Sequence, residues 1–232
     1  MRKLIAAVAG LALVAGGVVV VGGIRTATAQ GGGTIEAEVK YNGAPQIEKL
    51  KVNKDVEKCG NEATIEKIAV GGNKGLANVV VSVPEAKGAP TAKKITIDQH
   101  GCKFVPHVSA MTPGEVELKN SDDILHNIHT YSTANPSINK AQPKFKKVMT
   151  EKLEKPEFVK ITCDVHSWML GWVAVVPGVA AVTDNNGVAK LENVPAGKQK
   201  IEVWHETLGK QEKEVDVKAG AVTKVSFEMK GK

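Results

Sequence analysis

The chain has 232 residues, 42% of them hydrophobic and 24% charged, with a formal net charge of +6. That length allows one large β domain, or a domain with a smaller companion, with a buried core. The positive balance does not point to nucleic acid. The arginines Arg2 and Arg25 both lie near the start, and phosphate and base-edge recognition favours the planar guanidinium.

Met1, Arg2 and Lys3 precede an unbroken apolar and glycine run from Leu4 to Ile24, and Ala27-Thr28-Ala29 stands ahead of Gln30. A basic start, an apolar centre and a small-residue site predict an export signal over 1–29, cut after Ala29. A retained anchor is the alternative, because the run approaches the ~20 residues that span a bilayer. Its many glycines and alanines suit that role poorly. Loss of Arg2, Lys3 and Arg25 would leave a formal +3. The expected location is periplasmic or otherwise extracytoplasmic, with no membrane association beyond the signal.

From there on the sequence reads as β, in short alternating or apolar runs punctuated by glycine, proline and asparagine. The predicted strands are Thr34 to Tyr41, Ala77 to Val83, Ile95 to Asp98, Glu115 to Lys119, Phe158 to Thr162, Trp172 to Val176, Ala180 to Thr183, Lys200 to Trp204 and Thr223 to Glu228. Asn42-Gly43 and Asn186-Gly187 predict turns. The spacing suits a sandwich and not alternating βαβ units. Two segments, Glu48 to Lys67 and Tyr131 to Lys160, read as charged surface loops with room for a short helical turn.

The cysteines are Cys59, Cys102 and Cys163, an odd number in a chain expected to enter an oxidising compartment. Cys163 stands in CDVHSWM beside other metal-ligand types, whereas Cys59 and Cys102 have no such company. One bridge from Cys59 to Cys102 plus one metal thiolate accounts for all three. Three unpaired buried thiols are the alternative.

Cys163, His166 and Met169 fall within seven residues at Cys-x-x-His-x-x-Met spacing, and His126 comes from LHNIHTY upstream. A soft thiolate, two imidazoles and a weak thioether form the donor set of a redox-active copper site. Cys-x-x-His alone also occurs in zinc sites; the methionine shifts the preference to copper. His129 is expected to pack or hydrogen-bond, as are His107 and His205. Cys102 with His107 could form a second metal pair, but a disulfide and a hydrogen-bonded histidine are the preferred account. Trp172 reads as core, while Trp168 is divided between core and an apolar docking face.

The stretch from about Ile95 to Val176 resembles a cupredoxin, and its short ligand loop is most similar to that of amicyanin. PHVSAMTPGEVELKN resembles the family's strand-glycine-strand passage, HNIH its first ligand motif, and ITCDVHSWMLGWVAVV its ligand loop and closing strand. The resemblance implies one type 1 copper ion held by His126, Cys163, His166 and axial Met169. It makes Asn127 the residue that ties the two ligand loops together. It further implies a one-electron carrier with no catalytic residues. Its partner would be a redox protein, such as a c-type cytochrome or dehydrogenase. Two departures are the longer, lysine-rich connection between His126 and Cys163 and the tryptophan inside the ligand loop.

Ala180 to Glu228 resembles the later strands of carboxypeptidase regulatory-like, transthyretin-like modules, and GGTIEAEVKYNGAP with LANVVVSVPEA resembles their opening half. The expected architecture is all-β: a cupredoxin Greek-key sandwich plus a small transthyretin-like sandwich. The expected segments are 1–29 (signal), 30–90 (opening strands of the small module), 91–177 (cupredoxin) and 178–232 (its closing strands). The cupredoxin would thus be inserted into the small module; a simple tandem is the alternative. A copper-handling or copper-sensing protein remains the second functional reading. A multicopper oxidase would need His-x-His pairs and more than the six histidines present.

Overall fold

The computed structural model describes residues 31–86 and 91–231. The expected export signal lies outside the described residues, and so do residues 87–90, the last of the expected opening segment 30–90. Among the described residues no helix is long and apolar enough to cross a membrane.

The strands are β1 (Gly33–Tyr41), β2 (Gln46–Lys51), β3 (Glu62–Ile68), β4 (Val80–Val83), β5 (Lys94–Gln99), β6 (Phe104–Val105), β7 (Val108–Met111), β8 (Gly114–Asn120) and β9 (His126–Tyr131). They continue with β10 (Asn139–Gln142), β11 (Val148–Leu153), β12 (Glu157–Thr162), β13 (Leu170–Val175), β14 (Val179–Val182), β15 (Val188–Val194), β16 (Gly197–His205), β17 (Gly209–Val217) and β18 (Val222–Met229). A four-residue helix, α1 (Val56–Cys59), stands between β2 and β3.

Strand pairing joins the first and last strands of the described residues. β1 lies between β15, antiparallel, and β18, parallel, while β4 lies between β14 and β16 in a sheet that β17 completes. The alternation in GTIEAEVKY turns Ile35, Ala37 and Val39 inward, where they meet Val81, Leu191, Ile201 and Phe227 in one apolar core. The Asp184 to Val188 turn that opens β15 needs its glycine. Gly187 has φ 75°, and a Cβ there would stand 2.2 Å from the Val39 carbonyl oxygen.

The intervening strands form a second sandwich. One sheet runs β10-β9-β12-β13-β7 and the other β11-β8-β5-β6. Ile97, Leu118, Ile128, Val159, Ile161 and Val173 fill the space between them. At the junction of the two sandwiches, Val80, Val108, Ala174 and Val176 pack with Phe158, Trp172 and Trp204. The Phe158 and Trp204 rings stack with centroids 4.3 Å apart. Beside them Glu206 accepts hydrogen bonds from Trp172 Nε1 at 2.5 Å and from His107 Nε2.

Two expectations need correction. Glu48 to Lys67 is not a loop but the β2–β3 hairpin carrying α1; its inner residues Val52 and Ala63 join the larger core. Tyr131 to Lys160 holds β10, β11 and most of β12. In VMTEKL only Met149 and Leu153 are buried, so the apolar alternation is sparse and lysines on the solvent face conceal it.

Candidate metal centre

β9 and β12 are antiparallel neighbours, with Thr162 opposite His129. The start of β9 and the end of β12 therefore meet at one end of the sheet. That register brings His126, the first residue of β9, to Cys163, which directly follows β12. The chain then turns through 163–169 and rejoins the sheet where Leu170 pairs with Thr162. His166 is placed by this turn, which the Met169 N–H closes by donating to the His166 carbonyl at 3.0 Å.

The Nδ1 atoms of His126 and His166 are 2.9 Å apart, and Cys163 Sγ lies 3.9 Å from the first and 3.8 Å from the second. All three side chains are buried, with exposures of 0%, 0% and 1%. Met169 is buried in the same loop and shares the core cluster of Cys163 and Trp168.

The outward nitrogen of each imidazole faces a carboxylate. His126 Nε2 lies 2.9 Å from Asp122 Oδ2, and His166 Nε2 lies 2.9 Å from Asp55 Oδ2. A neutral imidazole that donates from Nε2 presents a lone pair at Nδ1. Two such lone pairs and a sulfur thus converge in a space closed to water, and only a proton or a cation satisfies them. Metal-ligating histidines commonly make this second hydrogen bond to a carboxylate, which fixes the ring and strengthens the donor.

Asp122 is itself held, because its carboxylate accepts the N–H groups of Gly101 and Cys102, each at 2.9 Å. Burial alone would raise its pKa, but the Cys102 N–H, the His126 ring and the Gly101 N–H outweigh this and hold it below the usual carboxylate range. Burial lowers the pKa of His126 despite the opposing pull of Asp122. It raises that of the Cys163 thiol, partly offset by the Asn127 N–H, which points at the sulfur from 3.4 Å. The Asn127 side chain accepts the Asp164 N–H at 2.5 Å and donates to Asn139 Oδ1 at 2.8 Å. It thus links the segment that begins with His126 to the one that carries Cys163.

Cys59 and Cys102 form a disulfide, and Cys163 is a free, buried cysteine. That bridge rules out Cys102 with His107 as a metal pair. His129 stays outside the donor cluster: its Nδ1 binds Asp164 Oδ1 at 2.8 Å and its ring stacks on Tyr131. His205 is buried in the smaller sandwich, where its Nδ1 accepts the Thr207 N–H at 3.1 Å. Trp168 is core: it is 6% exposed and donates from Nε1 to the Cys102 carbonyl at 3.3 Å. Trp172 is half-buried at the junction. Sequence reasoning missed Asp55 and Asp122 as partners of the histidines. Asp122 could have been found four residues before His126, in the turn ahead of the ligand strand. Asp55 carries no local signal.

No protein-family model matches the chain, and no curated protein does. Solved structures similar to it include amicyanins, a purple cupredoxin and a Cu-containing nitrite reductase. Amicyanin from Paracoccus versutus is 15% identical over 41% of this chain and 96% of its own, with a TM-score of 0.32. A purple cupredoxin from Nitrosopumilus maritimus is 19% identical over 34% of this chain and 97% of its own, at 0.30. A Cu-containing nitrite reductase from Thermus scotoductus is 20% identical over 40% of this chain and 27% of its own, also at 0.30. Likenesses this distant carry no residue and no activity across, so the functional case stands on the donor atoms themselves.

Proposed function

We infer that this protein would hold one copper ion through His126 Nδ1, His166 Nδ1 and Cys163 Sγ, with the Met169 thioether as a further weak donor, and that it carries single electrons outside the cytoplasm. The observation that carries this reading is the convergence of three buried donors from two segments, with both outward imidazole nitrogens committed to carboxylates. The donor set fits copper in particular, since thiolate and thioether ligands select it over the hard cations. Copper bound there would supply a one-electron couple. The protein's part is to hold the donors still: β9 and β12 fix His126 and Cys163, Asn127 ties their loops, and the apolar surround excludes water.

Burial also favours retention over delivery, because a cargo site must let its ion leave. The disulfide supports an oxidising compartment. The strand pairing supports a metal-bearing unit inserted into a smaller β module. An acidic redox partner is supported by the turn bearing Lys144, Lys146 and Lys147, with Phe145 83% exposed at its centre. This turn lies against the one that leads into His126, through the Asn120 N–H on the Lys147 carbonyl and Lys147 Nζ on the Asp122 carbonyl. Such a basic patch steers acidic proteins and lowers their association rate as salt rises.

Adding Cu(II) to the purified protein is expected to give an intense visible band from thiolate-to-copper charge transfer, bleached reversibly by a mild reductant. Cys163→Ser should abolish it; a full-strength band in that variant would overturn the ligand assignment. Met169→Leu should keep copper bound and raise the potential. Repeated redox cycling against a competing chelator separates the carrier from the delivery protein, which should lose its ion.

A further inference from the structure

The hairpin formed by β2 and β3, with α1 at its tip, leaves the smaller sandwich and lies over the metal end of the larger one. Two kinds of attachment hold it there. Leu50, Val52, Ala63 and Ile65 pack into the larger core, and the Cys59–Cys102 bridge links the end of α1 to the β5–β6 turn. Asp55 stands immediately before α1. Its carbonyl accepts the N–H groups of Lys58 and Cys59, both at 2.9 Å, so its backbone is fixed just ahead of the bridge.

That backbone is in the left-handed region, at φ 51° and ψ 37°. Aspartate visits this region more readily than most residues, because its short polar side chain can hydrogen-bond locally. The conformation aims the carboxylate at His166. Asp55 Oδ2 is 2.9 Å from Nε2, and its side chain is 34% exposed while the histidine is fully buried. Asp55 is therefore the outermost group on this edge of the imidazole. The Trp168 ring, tilted against His166 with centroids 5.1 Å apart, covers another flank.

We propose that Asp55 is a positioning residue for His166: its carboxylate holds the Nε2–H tautomer, which points the Nδ1 lone pair at Cys163 and His126, and together with the bridged hairpin it closes this imidazole edge to small ligands. The consequence for copper rests on the metal reading given above; the consequence for the histidine does not. A site closed in this way exchanges electrons through the protein but does not admit a substrate to the ion past His166. It separates a carrier from a copper enzyme.

The test uses the full chain with its disulfide intact and compares wild type with Asp55→Gly and Asp55→Asn. Glycine accepts the left-handed backbone, so it removes the carboxylate without new strain. Asparagine also tolerates that region and keeps an acceptor oxygen while losing the charge. In metal-free protein, nitrogen NMR of His166 should show the Nε2–H tautomer in wild type and Asp55→Asn, and a loss of that preference in Asp55→Gly. In Cu(II)-loaded protein, azide should leave the visible band of wild type and Asp55→Asn unmoved, and should shift it saturably in Asp55→Gly. Asp55→Asn should also raise the copper potential, because a negative charge no longer supports the oxidised ion. Wild-type tautomer and azide exclusion in Asp55→Gly would overturn the proposal. So would loss of the Nε2–H tautomer or entry of azide in Asp55→Asn, a result that decides the matter even if Asp55→Gly fails to fold. A wild-type protein without the thiolate band would sink the copper reading alone, while the metal-free NMR measurement still judges Asp55.

Discussion

In the smaller sandwich the interior is Ile35, Val39, Leu191, Ile201 and Phe227, an apolar filling with few polar atoms to satisfy, whereas the larger sandwich buries Gln99, Asn120, His126, Asn127, Gln142 and His166 toward one end. Those polar groups are not scattered. Gln99 Nε2 reaches Gln142 Oε1 at 2.7 Å, Gln142 Nε2 reaches the Leu118 carbonyl at 2.9 Å, and Asn120 Nδ2 reaches the Gln142 carbonyl at 2.9 Å. A buried polar group without a partner costs stability, so a network of this kind must be nearly complete to be tolerated. The contrast teaches what the candidate site requires: one sandwich maximises burial, and the other gives up apolar filling to hold His126, Cys163 and His166 in one geometry.

The largest expected effect comes from the one covalent link between the hairpin and the larger sandwich. Cys59 and Cys102 are separated by 43 residues. Replacing both by alanine should cost roughly 4 kcal/mol in denaturant unfolding, by the loop-closure argument. It should also make His166 more accessible to modification in metal-free protein. Next come two matched cavities. Ile201→Ala in the smaller core and Ile128→Ala beside the ligands, both fully buried, should each lose about 3 kcal/mol. Only Ile128→Ala should also alter the copper spectrum. Equal spectral change in both variants would erase the functional distinction between the sandwiches.

A smaller effect separates them by pH. Burial pushes the pKa of His205 down to about 4 from an ordinary 6.5, a cost that the Glu206 charge offsets only in part. Between those values the unfolded chain takes up the proton and the folded one does not. Stability from this residue is therefore present above about 6.5 and lost as pH falls toward 4, by at most ~1.4 kcal/mol per pH unit. His107 behaves oppositely. Burial works against its charge, but the hydrogen bond and charge of Glu206 prevail and raise its pKa. Its contribution is full below 6.5 and fades as pH rises through the raised value. Denaturant curves of His205→Gln and His107→Gln across pH 4 to 9 should show these two opposite trends. The smallest effect on stability should come from Lys144→Glu, Lys146→Glu and Lys147→Glu together, within about 0.5 kcal/mol per substitution for exposed positions. Their influence should appear as slower, less salt-dependent electron exchange with an acidic partner.

The converging donors were legible because Cys163 and His166 are compressed into one turn, and the disulfide because Cys163 stands among other donor types while Cys59 and Cys102 do not. The strands at Thr34, Glu115 and Phe158 were legible through clean alternation. β10 and β11 were not, since edge strands such as NKAQ show mostly polar residues to solvent. Nor was Asp55, whose partner lies 111 residues away and whose hairpin reads as charged filler. Contacts of that range depend on how two sandwiches are stacked, which no local pattern encodes.

The parallel pairing of β1 with β18, from Thr34 opposite Val222 to Tyr41 opposite Met229, also sets a timetable. β1 leaves the ribosome long before its neighbour β18, so the smaller sandwich closes only after β5 through β13 have been made. β5 through β13 form a contiguous run whose strands pair among themselves. Because distant pairings fold slowly, the larger sandwich is expected to mature first. Pulse-labelled hydrogen exchange during refolding should protect amides of β8 and β12 before those of β1, and the reverse order would refute it.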